Sequence, residues 1–132
     1  MVASLVLAGT ALAAPIGNPV AVFSGLDKIT GRIITFDVLI DETVQFGALQ
    51  VTPRVCNTRP PTEPALTTGF VEVDEITLHN EIRRLFTGWM YAASPGLSAL
   101  EHPVYDVWLV DCKAEITAAP ATGTQEGPSS GQ

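Results

Sequence analysis

In several segments of the chain, hydrophobic and polar residues alternate with a period near two. Residues 29–40 are rich in β-branched and aromatic side chains, and Ile34, Phe36, Val38 and Ile40 fall on one face of the strand this predicts. Asp41-Glu42-Thr43 reads as a turn. Within 44–56 the apolar phase moves from Val44, Phe46 and Ala48 to Leu49, Val51 and Val55, and the shift at Gly47-Ala48 predicts a bulge. Residues 70–76 alternate in places and predict another strand. Leu78, Ile82, Leu85, Phe86 and Trp89 sit at helical spacing, yet Thr87-Gly88-Trp89-Met90-Tyr91 holds poor helix formers. A strand over 85–92 is the reading adopted. In 104–112, Tyr105, Val107 and Leu109 point one way and Val104, Trp108, Val110 and Cys112 the other, which predicts a mid-sheet strand apolar on both faces.

The punctuation agrees with this pattern. Ser94-Pro95-Gly96 is a turn signal, 97–103 reads as a loop with room for one short helical turn, and Pro103 holds His102 extended. The Pro-rich stretch 59–64 reads as an extended loop inside one domain, because apolar patterned segments flank it. About five or six strands without a long helix predict a mainly β, single-domain fold, a small sandwich or a partly open barrel closed by one disulfide. The β domain is expected over 26–113.

The two ends depart from the alternation. Residues 1–13 form an apolar run ending in Ala11-Leu12-Ala13, the small-x-small pattern of a cleavage site, and are expected to be a signal peptide although no Lys or Arg precedes the run. The alternative is a buried N-terminal helix. The run is too short to span a bilayer, so no membrane span is expected in the mature chain. Residues 114–132 are mostly Ala, Thr, Pro, Gly, Ser, Glu and Gln, a composition that predicts a flexible tail.

Of 132 residues, 14 are Asp or Glu and 7 are Lys or Arg. A net charge of −7 argues against a nucleic-acid partner, which needs clustered cations. The two cysteines, Cys56 and Cys112, each close a strand-like segment, and an even count in an exported chain predicts a bridge. Two separate buried thiols are the alternative.

Candidate chemistry is sparse. There is no Gly-x-Ser-x-Gly elbow and no phosphate-cradling glycine loop. Glu101, His102 and Asp106 lie close in sequence but lack the spacing of a metal site, so neither a metal nor a cofactor is expected. The pairs Asp41-Glu42 and Asp74-Glu75 fall where turns or solvated edges are expected. The remaining concentration is aromatic: Trp89, Met90, Tyr91, Tyr105 and Trp108 lie in two strands joined by loop 94–103. If those strands pair as a hairpin, some rings share a face, as in an anchor patch for a partner, with Trp108 and one of Trp89 or Tyr91 in the core.

The blocks Leu26-Asp27-Lys28-Ile29-Thr30-Gly31-Arg32, Phe46-Gly47-x-Leu49-x-Val51 leading to Cys56, Phe86-Thr87-Gly88-Trp89-Met90-Tyr91-Ala92-Ala93-Ser94-Pro95 and Glu101-His102-Pro103-Val104-Tyr105-Asp106-Val107-Trp108-Leu109-Val110-Asp111-Cys112 resemble a family of small exported alphaproteobacterial proteins catalogued as a domain of unknown function. The resemblance covers about 26–113. It implies an envelope location and a Cys56–Cys112 pairing. Relatives are often encoded beside an accessory subunit of respiratory NADH:ubiquinone oxidoreductase, which suggests a link to a respiratory or envelope complex. Two functions stay open at this point. One is a non-catalytic periplasmic binding or assembly module that meets an envelope protein through Tyr91, Glu101, His102 and Tyr105. The other is a small hydrolase or metal-dependent enzyme using His102 with Glu101 or Asp106.

Overall fold

Alternating apolar positions become two antiparallel sheets packed face to face. The computed structural model describes residues 15–117. The expected signal peptide and the part of the expected tail beyond Thr117 lie outside the described residues. The strands are β1 (Ile16–Gly17), β2 (Val20–Asp27), β3 (Arg32–Leu39), β4 (Val44–Phe46), β5 (Leu49–Thr58), β6 (Thr68–Ile76), β7 (Ile82–Tyr91) and β8 (Tyr105–Lys113), with a 3-10 turn at Pro95–Ser98. The larger sheet has the order β1-β5-β6-β7, with β4 also on β5, and the smaller has the order β3-β2-β8. Neither sheet closes into a barrel. Of the two architectures expected, a small sandwich or a partly open barrel, this is the sandwich, with six long strands and two short ones among the described residues.

The core lies between the sheets. Ala21, Phe23, Phe36 and Val38 of the smaller sheet meet Leu49, Val51, Val71, Val73 and Met90 of the larger. Phe23, Phe36 and Phe46 stack in series, with centroids 5.9 and 5.8 Å apart. Fully burying a side chain of this kind stabilises the fold by roughly 1.5–3 kcal/mol. The Cys56–Cys112 disulfide, with Cα atoms 5.6 Å apart, ties β5 to β8 and hence one sheet to the other.

Several elements differ from the sequence reading. Residues 16–27, to which it assigns no strand, supply β1 and β2, and β2 is the central strand of the smaller sheet. The reason is that Val20-Ala21-Val22-Phe23 does not alternate: Ala21 and Phe23 enter the core, while Val20 and Val22 are buried on the opposite face. The phase shift at Gly47-Ala48 is a two-residue hairpin turn and not a bulge, since Phe46 pairs directly with Leu49. Gly47 has φ +58°, the left-handed backbone that the first position of a II′ hairpin requires.

The bulges lie elsewhere, at Pro53/Val55 against β6, at Val73/Asp74 against β7 and at Val22/Phe23 against β8. The last one sets Val110 aside, so Leu109 and Cys112 both point inward although simple alternation puts them on opposite faces. β8 is also an edge strand, not a central one. Pro53 sits in β5 without loss of a ladder bond. Its carbonyl accepts from Asp41 N–H, so its polar edge faces the gap between β1 and β4.

Strands β7 and β8 do not form the expected hairpin. They belong to different sheets and run in the same direction, so residues 92–104 must travel back along the open side of the sandwich. This connection acts as a strap. Ser98 Oγ donates to the Trp89 carbonyl (2.6 Å) near its start, and Leu100 and His102 are buried beneath it. The end of β8 and the first residues of the expected tail are anchored as well. Lys113 Nζ pairs with the buried Asp37 (2.7 Å), and Thr117 N–H donates to the same carboxylate (2.7 Å). No helix among the described residues is long and apolar enough to cross a membrane.

Candidate functional site

His102 is where the strap ends. Its Nδ1 accepts hydrogen bonds from the backbone amides of Val104 (3.0 Å) and Tyr105 (3.1 Å). That arrangement places the ring proton on Nε2, which donates to Glu75 Oε2 at 2.8 Å. Glu75 is held from its other side by Arg83 at 2.8 Å. The bond from His102 holds the Glu75 carboxyl below its ordinary value, against the opposing effect of desolvation, and Arg83 adds to the lowering. Lys28 Nζ donates to the His102 carbonyl (2.8 Å), and Lys28 N–H donates to that of Val104 (2.7 Å). Both ring nitrogens are thus engaged in fixing the start of β8.

The alternative reading, an enzyme, puts Glu101 or Asp106 beside His102, and the structure pairs the ring with neither. Glu101 is exposed on the strap, Asp106 forms no bond to the ring, and the acid that meets His102 is Glu75. Glu75 was legible in part. Val71, Val73 and Glu75 share one phase of β6, so an acid was due on the inward face near the sheet's end. Asp74-Glu75, expected at a turn or a solvated edge, lies within β6, where Asp74 pairs with Arg84 at 2.5 Å. Among the described residues no group of three His, Cys, Asp or Glu side chains is placed to hold a metal ion.

The aromatic residues are divided among separate surfaces. Met90 is in the core. Tyr105 is half-buried at the foot of the sandwich, edge-on to Phe46 at 5.6 Å. Trp108 is half-buried on the outer face of the smaller sheet, beside Pro95, Gly96 and Ala99. Neither Trp89 nor Tyr91 is in the core. Trp89 is 42% exposed and Tyr91 37%, because each flanks the inward Met90 and so points away from the core.

Those two rings stand on the outer face of the larger sheet. Phe70, directly opposite Trp89 in the register, backs it in an edge-to-face contact at 5.5 Å. The next row across the sheet is Asn57, Thr68 and Tyr91. Asn57, Arg59, Leu66 and Thr68 border a groove of about 290 Å³ beside Trp89 and Tyr91. The other end of the same face is ionic: Arg54 bridges Asp41 and Glu72, each at 3.0 Å. The sheet therefore presents an aromatic half and a charged half on one face.

Comparison with known proteins adds a family and no activity. The family described as "Uncharacterized protein conserved in bacteria (DUF2155)" matches residues 21–112. An uncharacterized Rickettsia prowazekii protein, RP359, is 28% identical over 89 residues, covering 66% of this chain. The match spans 56% of that relative's own length. No solved structure matches the chain.

Proposed function

The chain belongs to this family of uncharacterized proteins conserved in bacteria, and from that premise we propose that it is a non-catalytic binding or assembly module of the bacterial envelope. The observation that carries the reading is the exposed pair Trp89 and Tyr91 on a sheet face. Rings of this type are enriched where proteins meet, because they bury much area at little entropic cost. Here the strand backbone positions both rings, and the Phe70 contact holds Trp89 in place before any partner arrives. The charged half of the face, with Arg54, Glu72 and Asp41, supplies a polar margin to the aromatic half.

A periplasmic location is supported by two features. Residues 1–13 have the composition of a signal peptide, and the Cys56–Cys112 bridge belongs to an oxidising compartment. The partner in this reading is an envelope protein. His102 serves it indirectly, by fixing the strap and the start of β8, and does not touch the partner.

The test is recovery of partners from chemically cross-linked envelopes with the tagged full chain, comparing wild type with Trp89→Ala and Tyr91→Ala. The reading requires a discrete adduct in wild type that both variants lose, with unfolding midpoints close to wild type. Adducts unchanged in both variants contradict it.

A further inference from the structure

We propose that the groove at the foot of the sandwich is a binding site for a small zwitterion of the amino-acid class with an apolar side chain. It lies at the opposite end of the strands from Trp89 and Tyr91 and is independent of the docking face. Asp27, Arg32, Ile34, Phe46, Gly47 and Tyr105 line it, and its volume is about 280 Å³. That is close to the lower bound of small-molecule clefts, about 300 Å³.

The first argument is which charges are already committed. Of the 7 Lys and Arg side chains, every one but Arg32 is tied to a carboxylate or, for Lys28, to a backbone carbonyl. Among the described residues the Arg32 guanidinium has no such partner, and it borders this groove. Asp27 is its direct neighbour across the β2–β3 ladder, yet the two form no ion pair. Asp27 Oδ1 accepts from the amides of Ile29 (2.9 Å) and Thr30 (3.3 Å) and so builds the turn, while Oδ2 takes no part in it. The groove thus carries one unmatched positive and one half-used negative group.

The second argument is the floor between them. Phe46 and Ile34 supply apolar surface, and the Tyr105 ring closes one side. Tyr105 is placed with care. Its amide is held by His102, its ring is edge-on to Phe46, and a side chain at Gly47 would collide with that ring. Its hydroxyl makes no hydrogen bond among the described residues and is available to a ligand. A ligand carboxylate fits the fork of Arg32, with the Tyr105 hydroxyl as a second donor. A ligand ammonium fits Asp27 Oδ2, and an apolar side chain covers Phe46 and Ile34. A plain anion leaves Asp27 opposed, and a plain cation leaves Arg32 opposed. Only a molecule carrying both charges matches both groups.

The experiment is titration calorimetry on the disulfide-bonded full chain with L-phenylalanine, L-leucine, N-acetyl-L-phenylalanine and L-phenylalaninamide. The expected result is saturable binding of at least one free amino acid. Each blocked phenylalanine should bind at least about fivefold more weakly than phenylalanine, the size of a partly solvated charge contact. Arg32→Gln should erase the difference between phenylalanine and its amide. Asp27→Asn keeps an oxygen acceptor for the turn and should erase the difference between phenylalanine and its N-acetyl form. Should Arg32→Gln lower the unfolding midpoint, Arg32→Lys replaces it, retaining charge and losing the fork, with partial loss of the same difference expected. Absence of saturable binding by either amino acid up to about 10 mM, the weak end of specific affinity, overturns the proposal. So does discrimination that survives the substitutions.

Discussion

His102 on the strap and Glu75 on β6 meet with Nε2 and Oε2 2.8 Å apart, so the one buried histidine of the described residues is used to close the foot of the sandwich. Arg83 extends the chain of contacts on one side and the amides of Val104 and Tyr105 on the other. Replacing His102 by Ala takes the acceptor from the part-buried Val104 and Tyr105 amides and leaves Glu75 with Arg83 alone. We expect destabilisation on the order of 1–3 kcal/mol, read by urea unfolding at neutral pH. A variant as stable as wild type would show that the ring is not structural.

The same contact sets a pH dependence. Glu75's carboxyl is lowered from its ordinary 4.5 in the folded chain, chiefly by the bond from His102. A group lowered on folding adds stability that is fully present above its unfolded value and is lost as pH falls through the folded one. Wild type should therefore lose stability below pH 4.5, and Glu75→Gln should lose less over the same interval while starting lower at neutral pH. Parallel stability–pH curves for the two proteins contradict this.

Much of the sandwich was legible where the inward phase runs unbroken. Ile34, Phe36, Val38 and Ile40 share a face of β3 and its following residue, and Val71 and Val73 set the phase that also carries Glu75. What was not legible depended on events outside the local pattern. β2 hides its period because Val20 and Val22 are buried on the outer face too, where their register neighbours Lys113 and Asp37 pair with each other, and a window over 20–27 cannot see that. The turn at Gly47 and a bulge at Gly47 shift the apolar phase identically, and only pairing of Phe46 with Leu49 separates them. Trp89 and Tyr91 were separated from Tyr105 and Trp108 by a sheet change that no spacing announces. Arg32 became visible only when the partners of the other cations were known.

The disulfide closes a span of 56 residues between the two sheets. The chain-entropy account assigns a loop of that length about 4 kcal/mol. Reduction, or replacement of Cys56 and Cys112 by Ser, should lower the thermal midpoint by many degrees. An unchanged midpoint means that the sheets hold each other without the bridge.

Gly25 faces the core against Phe46, and a Cβ there would lie 2.8 Å from ring carbons. The ring is fixed between Phe36 and Tyr105, so it has little room to yield. Gly25→Ala should destabilise the fold by roughly 1–3 kcal/mol, as overpacking does. Equal denaturation midpoints for variant and wild type would refute this packing.

Asp37 is a buried carboxylate on the outer face of the smaller sheet, matched by Lys113 Nζ. Lys113→Ala takes that cation away from the buried carboxylate. A loss of about 3 kcal/mol is expected, the lower end for breaking a buried pair. A double variant, Lys113→Ala with Asp37→Asn, should recover part of it, and failure to recover any would assign the loss to the Lys113 stem.

The central claim is that Trp89 and Tyr91 meet a partner, and position-specific photo-cross-linking in living cells tests it most directly. A photoreactive phenylalanine analogue is placed at Tyr91 in one strain and at Ile33, exposed on the smaller sheet, in another. The account predicts a discrete adduct from position 91 that disappears when Trp89→Ala is added, with none from position 33. Adducts of equal yield from both positions, or an adduct at 91 indifferent to Trp89, would contradict it.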